Sequence, residues 1–223
     1  MTGPFAWFKW EALFAEWTVF GEGALMTLAA SMLALALSLA LGVMFGVMST
    51  SHWKIAKAIS RIYVEFIQNT PLVIQIFFYY HGLPHLGLSL PVFSIGVLGV
   101  GVYHGAYISE VVRAGIQSIP KGQREAAYSQ GLNYVETMKY IILPQAKRIV
   151  LPPLANQAVS LVKNTSVLAM IAGGDLMYRA DSWSSQNLYY GPAYVTTGIL
   201  YLMLCLPLAS LARNLEKKAE VHA

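Results

Sequence analysis

The chain has 223 residues, of which 56% are apolar and only 12% charged, where soluble proteins carry about 25% charged residues. With a mean hydropathy of +0.52, this composition excludes a soluble globular domain and a disordered chain, and a single cysteine excludes a disulfide framework or a cysteine-based zinc site. The net charge of +4 sits in short blocks between apolar runs, which points to a membrane protein ahead of a nucleic-acid partner.

A membrane-crossing helix needs about 20 mostly apolar residues. After an N-terminal extracytoplasmic segment (1–20), Ala24–Met48 runs 25 residues without a charge. It is too long for a signal-peptide core and follows acidic residues; it is the first predicted span, with Gly42 and Gly46 as a close-packing face. Tyr63–Tyr80 is the second. Glu65, Gln68, Asn69, Pro71 and Gln75 interrupt it, so it must face protein or water, and Pro71 is expected to kink it. Glu65 follows Arg61 by the i,i+4 spacing of a helical ion pair. Gln68 and Gln75, placed on one helical face, either line a polar path or hydrogen-bond neighbouring helices. The run Phe77–Tyr80 reads as a lipid and interface contact.

Leu90–Ile108 is the third span, with Gly96, Gly99, Gly101 and Gly105 as its small-residue face. A long connection, Ser109–Arg148, follows. The fourth span, Ile149–Ala172, has Pro152 and Pro153 near its start and is cut by Lys163-Asn164-Thr165-Ser166. Ala193–Ala212 is the fifth; Tyr189, Tyr190 and Tyr194 near its start suit an interfacial aromatic belt. A tail over 214–223 closes the chain. Lys and Arg number 1, 3, 0, 6, 1 and 3 in the successive connections, the last three, beyond the fifth span, being Arg213, Lys217 and Lys218. The alternation places the N-terminus outside and the C-terminus in the cytoplasm.

The cytoplasmic connection reads as two short helices at an angle. The first passes through Gln123–Gln130, with Gly131 at the C′ position that wants a left-handed backbone. Asn133 caps the second, with Glu136 at the capping-box spacing, and Pro144 is expected to end it. Within it, Glu125-Ala126-Ala127, then Gly131, Ile141 and Leu143-Pro144 at fixed gaps resemble the EAA loop of ABC importer permeases (about 120–146). Asn69-Thr70-Pro71-Leu72, Ser109 through Ile116, and Lys163-Asn164-Thr165-Ser166 resemble the polar amino-acid branch of that family, and the resemblance covers about 20–213.

The resemblance implies an all-α integral membrane protein of five transmembrane helices with a cytoplasmic coupling hairpin, like a type I ABC importer permease. Residues 21–213 form its permease domain, in the bacterial inner membrane. It implies docking of Glu125, Ala126, Ala127 and Gly131 against a separate ATP-hydrolysing subunit. It further implies a second permease chain, identical or sister, two ATP-binding subunits and an extracytoplasmic amino-acid-binding protein. ATP and Mg would be bound by the partner ATPase and no cofactor by this chain. The absences agree: there is no phosphate-loop run, no catalytic constellation, and no inverted repeat or ion-coupling cluster of a secondary transporter. His52, His81, His85, His104 and His222 are dispersed and suit surface or packing roles better than a metal site.

Candidate substrate-path residues are Gln68, Asn69, Gln75, Lys163, Asn164, Thr165 and Ser166. Lys163 lies about 22 Å along a helix axis from Arg148. It either snorkels to the interface or offers a cation to a substrate carboxylate, with the next three residues adding hydrogen-bonding groups along a broken helix. Asn156 and Gln157 suit either the path or packing.

Overall fold

The computed structural model describes residues 3–220, and the side chains as far as Lys217; the side chain of Lys218 and all of His222 lie outside the described residues. In chain order the elements are α1 (Trp7–Ala15), α2 (Trp17–Thr50), α3 (Lys54–Gln68), α4 (Leu72–Phe77), a π turn (Phe78–Gly82) and α5 (Leu83–His85). There follow α6 (Val92–Gln117), α7 (Lys121–Ser129), α8 (Tyr134–Glu136), a second π turn (Thr137–Ile142) and α9 (Leu143–Asn164). A 3-10 turn (Thr165–Ile171), α10 (Leu176–Asn187) and α11 (Tyr190–Glu220) complete the described chain.

Among the described residues, three helices are long and apolar enough to cross a membrane as single pieces: Trp17–Thr50, Val92–Gln117 and Tyr190–Lys217. They contain most of the first, third and fifth predicted spans. The other two predicted spans are segmented. Tyr63–Tyr80 is not a kinked helix but two helices. Pro71 has no N–H and pushes Thr70 out of the helical region. Asn69 therefore closes α3, its side chain donating to the Glu65 carbonyl at 2.7 Å, and Pro71 becomes the extended cap of α4. The common helical face expected of Gln68 and Gln75 is lost with that continuity. The fourth span also differs: α9 begins upstream at Leu143 and carries Pro152 and Pro153 inside it. The carbonyls they free are those of Arg148 and Ile149, both on the exposed side of α9. The break falls where the polar run places it. There the 3-10 turn follows Asn164 and ends at Ala172 in the left-handed region, φ 55°.

The chain forms two compact units. One gathers the residues up to Leu37, Thr70–Gly101 and Val159–Pro207; the other gathers Ser38–Asn69, Val102–Ala158 and the residues from Leu208 on. In the first, Leu13, Phe20, Leu176, Ala180, Trp183 and Ala193 make a buried cluster. Trp183 meets Phe20 edge-on at 5.6 Å and donates its indole N–H to Glu16 Oε2 at 2.7 Å, so a large ring is buried with its one donor satisfied. Arg179 pairs with Glu22 at 2.8 Å.

In the second unit Ile108, Val112 and Ile116, at i, i+4 and i+8 of α6, join Met138, Ile142, Ala146 and Val150 in one buried cluster. That apolar spacing carries α6 past the predicted end of its span to Gln117, and the exposed-side charges satisfy each other as Arg113–Glu110, 2.6 Å. Helix α6 therefore takes in Ser109–Gln117, the opening of the predicted connection. The close packing expected at Gly42 and Gly46 is present: a Cβ at Gly46 would stand 2.6 Å from that of Val112, and one at Gly42 would overlap Ile108. The ion pair expected of Arg61 and Glu65 forms at 2.6 Å, with both side chains exposed, where such pairs contribute little.

Candidate functional site

Two places carry the candidate residues. The first is the hairpin of the second unit. Helix α7 ends in a double closure: Leu132 N–H donates to the Ala127 carbonyl at 3.1 Å and Gly131 N–H to Tyr128 at 3.0 Å. Gly131 takes φ +85°, the left-handed C′ position that its place in the sequence predicts. Asn133 then caps α8. Its Oδ1 accepts from Glu136 N–H at 3.0 Å and its own N–H donates to Glu136 Oε2 at 2.9 Å, completing the predicted capping box. Two helix ends separated by Gln130–Asn133 are thus each locked by a pair of hydrogen bonds. Asn133→Ala should cost about 1 kcal/mol of local stability, read as faster hydrogen exchange at residues 134–137 with exchange in α11 unchanged.

Pro144 does not end the second helix. The wide π turn over Thr137–Ile142 shifts the hydrogen-bond register ahead of the proline, and the chain runs on as α9. The second half of the hairpin is thereby the start of a long helix. Glu125, Ala126 and Gly131 are exposed, whereas Ala127 is turned inward and buried. Tyr134 packs edge-on to the His52 ring at 4.9 Å. Partial burial pushes its phenol above its usual range, against the downward pull of nearby Arg124.

The second place is a cavity of about 330 Å³ in the first unit, lined by Lys163, Ser166, Met177, Tyr194, Thr197, Gly198 and Tyr201. Lys163 is exposed in the last turn of α9, where a cation also suits the helix's negative end. Ser166 donates back to the Lys163 carbonyl at 2.7 Å. Tyr194 is tied to Asp181 Oδ1 at 2.7 Å. Asp175 caps α10, the helix that supplies Met177, by accepting from Met177 N–H at 3.0 Å. Burial pushes its carboxyl up to about 6, opposed by backbone N–H groups of Met177 and Tyr178.

Of the predicted path residues, only Lys163 and Ser166 are brought together here. Thr165 is buried and donates to the Val162 carbonyl at 2.7 Å, and Asn164 closes α9. Gln68 donates to the Ala106 carbonyl of α6 at 3.2 Å, while exposed Asn69 caps its own helix. Gln75 is buried and donates to Thr70 Oγ1 at 2.8 Å. Asn156 is exposed and donates to Glu216 at 2.7 Å, while Gln157 meets buried His104 at 3.2 Å, a contact that suits packing. Sequence reasoning missed Tyr194, Thr197 and Tyr201 as a group. Their i, i+3, i+7 spacing in an otherwise apolar helix was the available signal.

A model of the family described as binding-protein-dependent transport system inner membrane component matches residues 38–221. The probable glutamine ABC transporter permease protein GlnM of Bacillus subtilis (strain 168) is 46% identical, over 93% of this chain and 96% of its own. The glutamine transport system permease protein GlnP of Escherichia coli (strain K12) is 34% identical over 96% and 99%. A solved amino acid ABC transporter with histidines superposes with TM-score 0.85 at 31% identity, covering 93% of this chain and 97% of that one. With its helical architecture and EAA hairpin, the chain belongs to the family of binding-protein-dependent transport system inner membrane components; it is a permease subunit of type I ABC importer fold and not an enzyme.

Proposed function

We propose that the chain moves polar amino acids inward by alternating access, as one of two permease chains, identical or sister. Two ATP-binding subunits hold ATP and Mg and dock on the hairpins; this chain holds no cofactor. An extracytoplasmic binding protein delivers the substrate. The observation that carries this reading is the exposed Glu125–Ala126 edge of α7 together with exposed Gly131, which lies between the doubly bonded end of α7 and the doubly bonded start of α8. A surface so fixed suits docking to a second protein, because little ordering is needed on binding. The names of the relatives, glutamine and amino-acid permeases, support the substrate class.

The same reading makes five crossings of the bacterial inner membrane, two of them segmented, with the N-terminus outside and the C-terminus in the cytoplasm. Lys163 receives the substrate carboxylate beside Ser166. Gln68, Asn69, Gln75, Asn164 and Thr165 act by holding the helix breaks that shape the path.

Affinity purification from native membranes in mild detergent tests it. A phosphate-loop ATPase should co-purify, and uptake by the reconstituted assembly should require ATP. A chain that purifies alone and transports without ATP overturns the reading.

A further inference from the structure

Helix α1 lies outside the residues the family model matches and supplies none of the side chains that line the cavity. One side of it docks on protein. Leu13 is fully buried, Phe8 meets the Tyr189 ring edge-on at 5.8 Å, and Glu16 accepts from Trp183. Ahead of it, the Phe5 ring lies 2.9 Å from where a Cβ on Gly191 would stand, so that glycine makes room for it. The other side is aromatic, open at Trp7 and Phe14 and half-buried at Trp10. Trp7, Trp10 and Phe14 recur at i, i+3 and i+7, and Trp7 and Phe14 are 68% and 56% exposed. Lys9 is drawn off the stripe over the Phe8 and Tyr189 rings, at 5.9 and 5.4 Å.

The rings of Trp10, Phe14, Trp17 and Phe20 follow one another at 6.4 Å centroid spacing. Trp17 opens α2, and its exposed face continues along that helix as Leu25, Leu28 and Met32, the stripe that a membrane-crossing α2 presents to lipid. A single residue, Glu16, separates α1 from α2, so α1 is held where α2 meets the membrane surface.

We propose that α1 is an interfacial membrane helix, with its Trp7–Trp10–Phe14 face seated at the boundary of headgroups and acyl chains in the leaflet where α2 begins. Indole rings with an apolar body and one N–H donor favour that depth, and a helix lying there buries one face while the other keeps its protein contacts. The inference rests on α2 crossing the membrane.

The test uses the assembled transporter in lipid nanodiscs and the α1 fluorescence, taken as the difference between the native chain and a Trp7→Phe/Trp10→Phe variant. Phosphatidylcholine brominated near the headgroup should quench it at least two-fold more than lipid brominated near the chain end, and aqueous iodide should quench it less than free tryptophan. Full iodide quenching with no effect of bromine overturns the proposal, because the helix then stands in water. Protection from both quenchers also overturns it, because a protein partner then covers the stripe. Met32→Trp in the same nanodiscs reports separately on α2: if bromine near the chain end does not quench it, the crossing itself fails rather than the placement of α1.

Discussion

Glu125→Lys combined with Gly131→Val is expected to lower ATP-driven uptake in proteoliposomes at least thirty-fold, while the chain still reaches the membrane. Glu125 is exposed, and among the described residues its side chain forms no ion pair, so reversing its charge leaves the hairpin's own packing intact. At a docked surface the same reversal leaves a partner charge opposed and desolvated, a loss of about 2–5 kcal/mol. Gly131 acts on geometry. At φ +85° a side-chain-bearing residue costs about 1–2 kcal/mol, and a β-branched one is strained further, so the double closure of α7 loosens. The measurement is uptake of labelled amino acid, with co-purified ATPase scored in parallel. Unimpaired uptake with full recovery of the ATPase would move the docking surface elsewhere.

Lys163→Met is expected to reduce uptake ten- to hundred-fold at low substrate concentration, with Lys163→Arg recovering part of it. A hydrogen bond to a charged group contributes about 1.5–3 kcal/mol, and methionine keeps the length of the side chain without the charge. If Lys163 only snorkels to the interface, methionine should change uptake less than two-fold. ATP hydrolysis by the assembly in the absence of substrate is the control, since an effect there would indicate damage to the fold rather than to substrate recognition.

Much of the architecture was legible in the sequence because it is written in local chemistry. Charge-free runs gave the single-piece helices, and Asn133 with Glu136 and Gly131 gave the hairpin's two locked ends. Where the reading failed, a non-local or register effect decided. Ser109–Gln117 reads as connection rather than as a continuation of the third helix, because Glu110 and Arg113 look like the start of a loop until they are seen to pair with each other. Pro144 reads as a stop because a π turn, which needs i→i+5 bonds, leaves no signature in residue spacing. Gln68 and Gln75 share a face only on a continuous helix, which Pro71 interrupts. At the cavity, Lys163 stood out because a charge in an apolar segment is visible alone. Tyr194, Thr197 and Tyr201 are ordinary residues of a membrane helix, and only the approach of α10 and the end of α9 makes them a lining.

The division of the second predicted span bears on how the chain enters the membrane during synthesis. Helix α3 has 15 residues, about 22 Å of rise, and α4 with its π turn and α5 is no longer, against a hydrocarbon core of about 30 Å. Neither piece crosses by itself. The amide of Gln68 finds its acceptor on Ala106, a residue made 38 positions later. While residues 54–85 emerge, that amide has no α6 to bond, and an unpaired polar group in lipid costs several kcal/mol. On the proposed five-crossing reading, this segment is expected to settle into the membrane only once α6 has been made, with Gln68 Nε2 and the Ala106 carbonyl entering already paired.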